Sequence, residues 1–373
     1  MSTDTGHNST SGDISWALNE PEKKIDFGWR AMHESVVLSK TLVNAFYGQE
    51  SSYSYYSGCS TGGRQGLKEV QMFPNDFDGV LARAPAWWTT HLQTWTIKAG
   101  LYNLPISADH HISPALFTVI GAEVLKQCDA QDGVKDGIVS DPRRCDFFPE
   151  ALLCGPGIQN GTEAGCLTPF QVSTLYKIYN DYVGYPQYML DLGMDWNYYD
   201  FNYSIVELAD RLDPGNCNAD EFDLSLFEAR GGKLIMYQGY ADALIPTGSS
   251  VLFYKEVLKT LKPKGIDLDP FFRHFLVPGM QHCAGTPPDV NAPWFFAGPN
   301  QAGSLSEKPG SMHSVLGFRD PKHDILLALM EWTEKRHRAG QHRGDQVEER
   351  YSVRRGMEAA TDLSVSEASE ICW

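Results

Sequence analysis

One stretch restricts the fold of this chain more than any other: YSYYSGCSTGGR, residues 53–64. Its first half is aromatic and favours a β-strand, whereas its second half opens a helix. Between them lies a G-x-S-x-G pattern, Gly58-Cys-Ser60-Thr61-Gly62. The pattern is typical of a strand-to-helix turn so tight that a Cβ at either glycine would clash. We therefore predict a nucleophile elbow that presents the Ser60 hydroxyl; a glycine-rich turn without chemistry is the alternative.

The Thr61 N–H follows that serine at a helix N-terminus, where negative charge is stabilised. We predict that it donates to an oxyanion.

Other segments predict a sheet around the elbow. Residues 77–85 (FDGVLARAP) indicate a short buried strand ended by proline, and strand, helix, strand at this spacing is typical of a parallel α/β sheet. Later strands are predicted at 234–237 and 271–277. Helices are predicted at 29–47, ending at Gly48, and after Asp320-Pro321, the latter burying a set of four: Leu326, Leu329, Met330 and Thr333.

The texture of the sequence changes between these segments. Residues 86–230 are rich in Trp, Tyr, Asn, Asp, Gly and Cys, with helical patches at 115–127 and 169–183. We interpret them as an inserted cap domain. The predicted organisation is four segments: 1–85, first part of the core with the elbow; 86–230, cap; 231–339, second part of the core; 340–373, peripheral tail.

Composition excludes several classes of protein. With 373 residues, of which 42% are hydrophobic, the chain can bury a large core. Its net charge of −16 argues against nucleic acid or anionic lipid as a partner, because both require clustered Lys and Arg. No apolar run reaches the roughly 18 residues of a membrane span, and the first residues, MSTDTGHN, have neither the basic nor the apolar region of a secretory signal.

Cysteine spacing indicates an oxidising compartment. The count of eight is even, and two pairs bracket short polar loops, Cys128 with Cys145 and Cys154 with Cys166. No C-x-x-C pair or nearby histidine couple favours zinc, so we predict two disulfides. Three N-x-S/T sequons, at Asn8, Asn160 and Asn202, permit glycosylation in such a compartment.

A serine nucleophile requires a base, and the base requires a carboxylate to orient it. Asp242 and His282 follow predicted parallel strands in that order, where open α/β sheets gather their chemistry. Taken alone, either residue could be structural. However, Cys59 precedes Ser60 and Cys283 follows His282. A nucleophile–base contact of about 3 Å can bring the neighbouring Cα atoms within the roughly 4.4–6.8 Å that a disulfide needs.

We therefore predict that a Cys59–Cys283 disulfide joins nucleophile to base, with a free buried Cys59 as the alternative.

These residues resemble the tannase and feruloyl esterase family of fungal secreted α/β-hydrolases, marked by a CS-D-HC motif. The motif is matched by Cys59-Ser60, Asp242 and His282-Cys283. The resemblance covers roughly residues 2–338. It includes four further short sequence motifs: STDTGH (2–7), GCSTGGRQG (58–66), FDG (77–79) and APA (84–86). It implies an α/β-hydrolase core with an inserted lid.

The resemblance implies hydrolysis of phenolic acid esters through an acyl-enzyme on Ser60, with His282 as base and then acid, and Asp242 orienting it. The expected activity is that of a feruloyl esterase, and tannase is the alternative. The expected substrate is a small phenolic ester or a feruloylated plant polysaccharide, outside the cell.

Family members also carry a signal peptide and a longer N-terminal part, with sheet strands and a second oxyanion donor. The chain is therefore expected to be N-terminally truncated, with those strands missing. Its tail after Arg338 departs from the family pattern, and Cys217 and Cys372 have no assigned partner. Two rivals follow, a truncated product that folds poorly and a non-catalytic, calcium-stabilised secreted binding protein; the intact triad disfavours the second.

The loop between Cys128 and Cys145 has the composition of a cation site. Three carboxylates are interleaved with glycines, which suits Ca²⁺ and its oxygen ligands, although the spacing is not that of an EF-hand. A solvated acidic turn is the alternative, and the family resemblance implies a structural calcium. The expected ligands are side-chain oxygens of Asp129, Asp132 and Asp136 and backbone carbonyls of Val134 and Ile138.

Trp87 and Trp88 begin the aromatic-rich segment, with His91 and Trp95 close behind. They predict a flat apolar wall for a phenolic ring, and anchoring of the cap to the core is the alternative. Spacing does not distinguish gallate from hydroxycinnamate.

Overall fold

The computed structural model describes residues 3–9, 13–158, 165–177, 185–197, 200–286, 321 and 324–334. Its strands are β1 (Tyr55–Cys59), β2 (Gly79–Arg83), β3 (Lys233–Gly239) and β4 (Phe272–Val277). Its α-helices are α1 (Pro21–Ile25), α2 (Ala31–Tyr47), α3 (Thr61–Met72), α4 (Thr89–Asn103), α5 (Pro114–Cys128), α6 (Pro169–Leu175), α7 (Tyr203–Leu212), α8 (Ser225–Ala229), α9 (Thr247–Leu261) and α10 (Ile325–Glu334). Short 3₁₀ or π segments are Ser15–Ala17, Asp26–Arg30, Asp129–Asp132, Pro142–Arg144, Pro149–Leu152, Tyr185–Met189 and Lys262–Lys264.

The described strands form one parallel sheet in the order β1-β2-β3-β4, which confirms the predicted α/β class. Cys59 pairs with Arg83, and Arg83 with Tyr237. Because all the strands run the same way, the elbow and the loops after β3 and β4 leave the sheet at one edge. The buried apolar residues of β2 are typical of a parallel strand covered on both faces.

The chain divides into two compact units. Unit 1 is built from Trp29–Trp88 and from Asn218 onward, and unit 2 from Asp4–Gly28 and Thr89–Cys217. The sheet belongs to unit 1, with a core in which Leu67, Val80 and Phe253 are fully buried.

Residues 4–28 were predicted to belong to the core, and the structure places them in unit 2. The reason is their packing: Ala17 is buried in a cluster with Tyr185 and Ile205, and Trp16 and Phe27 pack against it. At the other boundary, unit 2 ends at Cys217 rather than at residue 230. Residues that follow, Ala219, Leu224 and Phe227, are buried in the core of unit 1.

Helix α2 ends at Gly48, in the left-handed conformation with φ 69°, as the sequence predicts. Its apolar periodicity is a poorer guide, because only Val36 is buried, whereas Phe46 is 81% exposed. Helix α10 buries Leu329 and Thr333 as predicted, but Ile325 takes the place of Leu326 and Met330.

Helix α6 begins at Pro169 under a capping box of Thr168 and Gln171 and ends at Leu175. Several predictions lie outside the described residues: the end of that helix at 178–183, the tail at 340–373, Asn160 and Cys372. No helix in the described part of the chain is both long and apolar enough to cross a membrane.

Candidate active site

Ser60 sits in the strained turn that the G-x-S-x-G pattern predicts, with φ 59° and ψ −117°. Three backbone hydrogen bonds hold it there. The Ser60 N–H donates to the Arg83 carbonyl (2.9 Å), and the Ser60 carbonyl accepts from the N–H groups of Arg64 (3.0 Å) and Ala86 (3.1 Å). A positive φ is unfavourable for serine, so the surrounding structure must impose it.

Close backbone approaches explain only part of the glycine pattern. A Cβ at Gly58 would lie 2.3 Å from the Gly62 carbonyl oxygen, and one at Gly63 would lie 2.7 Å from the Arg83 carbonyl oxygen. A Cβ at Gly62 would meet only the Tyr56 hydroxyl, at 3.4 Å. The prediction that both glycines of the pattern exclude a side chain is therefore correct for Gly58 and wrong for Gly62. The second tight position is Gly63, where α3 passes over the end of β2.

Asp242 lies three residues after β3, and its side chain is fully buried. One carboxylate oxygen accepts from the N–H groups of Leu244 (2.9 Å) and Ile245 (3.0 Å), and the other from Nε2 of Gln238 (2.7 Å). These uncharged donors satisfy the buried carboxylate by hydrogen bonds. None of them is a cation that would compete with His282 for the carboxylate. Gln238 was not predicted, although a glutamine in the otherwise apolar run LIMYQG was a signal.

His282 follows β4, and its Nδ1 lies 2.9 Å and 3.1 Å from the two carboxylate oxygens of Asp242. Since an ionised carboxylate only accepts, the hydrogen-bond network assigns the proton to Nδ1 and leaves Nε2 as an acceptor. Nε2 lies 3.9 Å from Sγ of Cys59. Among the described residues no hydrogen bond joins it to the Ser60 hydroxyl, and such contacts are often long without substrate.

A disulfide joins the two halves of this site. Cys59 and Cys283 are bonded, with their Cα atoms 6.0 Å apart across a sequence separation of 224 residues. The backbone of Cys283 has a positive φ of 64°, and the Tyr237 hydroxyl donates to its carbonyl (3.0 Å). The cysteines beside Ser60 and His282 are therefore covalently linked, as their placement in the sequence predicts.

The N-terminus of α3 lies beside the nucleophile. Thr61 is its first residue, and the first N–H groups of a helix have no partner within that helix. This is the position that the sequence predicts for an oxyanion donor.

The two tryptophans differ from the predicted wall. Trp87 is only 1% exposed: its indole N–H donates to the Ser249 carbonyl (2.9 Å), and its ring packs edge-on against Phe222 and Phe253. The substrate-wall assignment is wrong for Trp87, because core packing occupies its faces. Trp88 is half-buried and stacks on Trp87 with the ring centroids 5.2 Å apart.

Unit 2 contains the other two predicted disulfides. Cys128 and Cys145 have Cα atoms 5.4 Å apart, and Cys154 and Cys166 5.0 Å apart. Cys217, for which no partner was assigned, is buried, and its thiol donates to the Asp213 carboxylate at 3.4 Å.

The first of these disulfides closes the acidic loop. Oδ1 of Asp129 accepts from the N–H groups of Asp136 (3.2 Å), Gly137 (3.1 Å) and Ile138 (3.2 Å), while Asp132 accepts from Ser140 and from the Val134 N–H. Burial, and then the charges of Asp129 and Asp132, raise the pKa of Asp136, against its bond from the Ile138 N–H. A cation would offset that repulsion, so the donor set suits a hard ion.

The three carboxylates of this loop are nevertheless spread apart. Within the described residues, two groups of three ligating side chains have their ligand atoms within 4.8 Å of one another, and neither includes this loop. Binding of one ion would require the carboxylates to move closer together.

Comparison with known proteins decides the family. A sequence model described as "Tannase and feruloyl esterase" matches residues 1–216 and 193–359. The chain belongs to the tannase and feruloyl esterase family. Among curated members, it is 34% identical over 368 residues to "Probable feruloyl esterase B-1" of Aspergillus flavus, and 33% identical over 372 residues to "Probable feruloyl esterase B" of Aspergillus clavatus. Each alignment covers 90% of this chain and 66% of the relative, so the chain spans just under two thirds of their length.

Solved structures of the family share the fold. The crystal structure of feruloyl esterase B from Aspergillus oryzae superposes with a TM-score of 0.73 at 32% identity, over 88% of this chain and 69% of that one. The tannin acyl hydrolase from Aspergillus niger superposes with a TM-score of 0.66 at 21% identity, over 89% and 67%. At that identity, the second likeness supports the fold alone.

Proposed function

We propose that this chain is a serine esterase that hydrolyses phenolic acid esters of the feruloyl type. The observation that carries the proposal is the Cys59–Cys283 disulfide, because it ties the strained elbow serine to a histidine that already holds a buried aspartate. A disulfide between two structural loops would not require a positive φ at both Ser60 and Cys283.

The proposed mechanism uses each group where the structure has it. Nε2 of His282 accepts the proton of the Ser60 hydroxyl while the serine oxygen attacks the ester carbonyl. Asp242 keeps the proton on Nδ1 and stabilises the imidazolium that forms. The Thr61 N–H donates to the developing oxyanion. His282 then protonates the leaving alcohol, and water, activated by the same histidine, releases the acid from Ser60.

The relatives support a feruloyl ester over a gallate ester. The two curated relatives reported above, at 33% and 34% identity, and the crystal structure of feruloyl esterase B, at 32%, carry feruloyl esterase names, whereas the tannin acyl hydrolase is 21% identical. We propose a small hydroxycinnamate ester or a feruloylated plant polysaccharide as the substrate, and neither nucleic acid nor a membrane as a partner. The three disulfides support a site of action outside the cell.

A fluorophosphonate probe tests the nucleophile. The probe should label Ser60 of the full chain, and Ser60→Ala should abolish both labelling and ester hydrolysis. Ser39→Ala, which removes a hydroxyl that bonds only the Ser35 carbonyl on α2, is the matched control and should keep both. Labelling that persists in Ser60→Ala would refute the assignment. A chain that binds phenolic esters without being labelled would support the binding-protein alternative.

Substrate preference is measured separately on methyl ferulate, methyl gallate and methyl acetate. We expect kcat/KM to be highest for ferulate, lower for gallate and lowest for acetate. A preference for gallate would make the chain a tannase. Equal values for all three esters would contradict the phenolic assignment.

We further propose that the acidic loop of unit 2 binds a structural Ca²⁺ through side-chain oxygens of Asp129, Asp132 and Asp136, aided by the carbonyls of Val134 and Ile138. The oxygen-rich donor set of this loop supports it. The ion would hold the loop closed and take no part in ester hydrolysis.

Chelation tests that role. Calcium at about 100 times its Kd should add about 2.7 kcal/mol to stability, so a chelator should lower the Tm, and Asp132→Ala should abolish the response. Asp146→Ala, an exposed carboxylate just outside the disulfide loop, is the control. Initial rates of the folded protein should not change. A reversible loss of activity without any change in Tm would instead place the ion in the chemistry.

A further inference from the structure

Unit 1 contains a second cluster of ligating side chains, away from the serine. His33 comes from α2, Glu69 from α3 and Asp76 from the turn before β2. Nδ1 of His33 lies 2.8 Å from Oδ2 of Asp76 and 3.9 Å from Oε2 of Glu69, and the ligand atoms of all three lie within 4.8 Å of one another. One nitrogen and two carboxylate oxygens therefore lie close together.

Glu69 is the unusual member of this cluster. It is only 2% exposed, and its buried Oε2 has no hydrogen-bond partner among the described residues. Burying a carboxyl oxygen without a hydrogen-bond partner costs folding free energy. Either a proton on the carboxyl or a bound cation would offset that cost.

The spacing suits a small divalent ion. Zn²⁺ binds histidine nitrogen and carboxylate oxygen at about 2.0–2.2 Å in a tetrahedron, which places ligand atoms about 3.3 Å apart. The 2.8 Å separation is a hydrogen bond between His33 and Asp76, which an ion would replace, and the 3.9 Å separation of His33 from Glu69 would shorten. Ca²⁺ fits less well, because it takes six to eight oxygen ligands and no nitrogen.

The cluster also has access to solvent. The side chain of His33 is 20% exposed, which leaves a route for an ion and a fourth position for water. Lys40 lies beside the cluster: its Nζ donates to the Asn75 carbonyl (3.2 Å) and lies 3.8 Å from Oδ1 of Asp76. It faces the oxygen of Asp76 that does not face His33.

We propose that His33, Glu69 and Asp76 form a binding site for one divalent transition-metal ion, best suited to Zn²⁺. The ion ties the first half of α2 to the last turn of α3. Helix α3 begins at the elbow, and Glu69 lies nine residues after Ser60, or about 13 Å along the helix axis. The ion therefore stabilises the helix that carries the elbow and does not contact the ester.

Zinc titration of the chelator-stripped full chain tests the site. The chain should bind one equivalent of Zn²⁺ that is lost in both Glu69→Gln and His33→Gln, with affinity reduced more than about 100-fold, since even outer-sphere partners contribute about 10- to 100-fold. Glu256→Gln, which removes a partly exposed carboxylate of α9 that pairs with Lys259 in the same unit, is the matched control and should keep the zinc. Zinc should raise the Tm of the wild type and of the control, and should not raise the Tm of Glu69→Gln or His33→Gln.

Co²⁺ provides a second readout that does not depend on stability, because its visible absorption should appear on binding to the wild type and be absent in Glu69→Gln. Asp132→Ala, in the acidic loop of unit 2, should bind Zn²⁺ normally, which separates this site from the proposed calcium loop. The proposal is overturned if no equivalent binds, or if Glu69→Gln binds as the control does. A wild-type chain that binds no zinc, together with a Glu69→Gln chain that is more stable, would overturn the proposal and show that a proton serves the buried carboxyl.

Discussion

At the scale of residues, backbone strain marks the edge of the sheet where the proposed triad of Ser60, Asp242 and His282 lies. Ser60, Ala84 and Cys283 are non-glycine residues with positive φ, and they follow β1, β2 and β4. Each such conformation costs about 1–3 kcal/mol and persists only where surrounding contacts impose it. At Ser60 the contacts are backbone hydrogen bonds to the ends of β2 and α3. The strained backbone at Ser60 therefore orients the serine, and the strained backbone at Cys283 lies in the loop that positions His282.

Two glycine substitutions test which steric contact builds the elbow. Gly58→Ala would place its Cβ 2.3 Å from the Gly62 carbonyl oxygen and should destabilise unit 1 by about 3 kcal/mol or more. Gly62→Ala lies within α3 and meets only the Tyr56 hydroxyl at 3.4 Å, so its stability should stay within about 1 kcal/mol of wild type. Urea unfolding of both variants measures the difference. If both variants lose the same free energy of unfolding, the close contact at Gly58 does not explain why that position requires glycine.

At the scale of elements, the loops after β3 and β4 are joined before the disulfide is considered. The Tyr240 N–H donates to the Val277 carbonyl (2.9 Å), and the Ala241 N–H to the Met280 carbonyl (2.9 Å). A Cβ at Gly239 would lie 2.1 Å from the Met280 carbonyl oxygen. This close approach brings the loop of Asp242 against the loop of His282. The disulfide adds the link to the elbow.

Removal of that disulfide should therefore affect both stability and turnover. The double change Cys59→Ala and Cys283→Ala opens a loop of 224 residues, for which chain entropy predicts a loss of about 5 kcal/mol. It should lower kcat more than it raises KM, because it loosens the relative positions of Ser60 and His282, the groups proposed to act in the chemical step.

The matched control is Cys154→Ala with Cys166→Ala, which opens a 12-residue loop in unit 2. It should cost about 3 kcal/mol and leave kcat unchanged in the folded protein. If both double variants lower kcat alike, the disulfide beside the triad has no special positioning role.

At the scale of the whole molecule, acid sensitivity follows from a histidine in the sheet. His274 lies on β4, its Nε2 is 3.1 Å from the Ser250 hydroxyl oxygen, and its buried Nδ1 has no hydrogen-bond partner among the described residues. Burial lowers the pKa of His274 to about 3. The folded state therefore keeps this ring neutral at pH values where the unfolded chain protonates it.

The contribution of the neutral His274 ring to stability is complete above a pH of about 6.5 and is lost as the pH falls toward 3. Between pH 6.5 and 5, His274 alone should cost about 2 kcal/mol of the free energy of unfolding. His274→Gln should lack this part of the pH dependence. Urea unfolding of both proteins at pH 7 and pH 5 measures it, and parallel losses would contradict the buried neutral ring.

Sequence alone determined the features that depend on local sterics or covalent adjacency. The strand, the elbow and α3 follow from residues 53–64, because a tight strand-to-helix turn permits few residue types. Ser60, Asp242 and His282 were identified because each follows a predicted strand of a parallel sheet. The Cys59–Cys283 bond follows from two cysteines that each adjoin a proposed catalytic residue. The turn is a short-range constraint, and the disulfide, although it spans 224 residues, is visible because each cysteine adjoins a proposed catalytic residue.

Only the tertiary structure decided what depends on which faces meet. It made Trp87 a core residue, moved residues 4–28 into unit 2 and placed the second steric restriction at Gly63. It also brought Glu69 to His33 and Asp76, residues that lie up to 43 positions apart, to form a cluster that no spacing rule identifies. These contacts depend on which helix and strand faces pack together. Neither hydrophobic periodicity nor a sequence motif indicates which face packs against which.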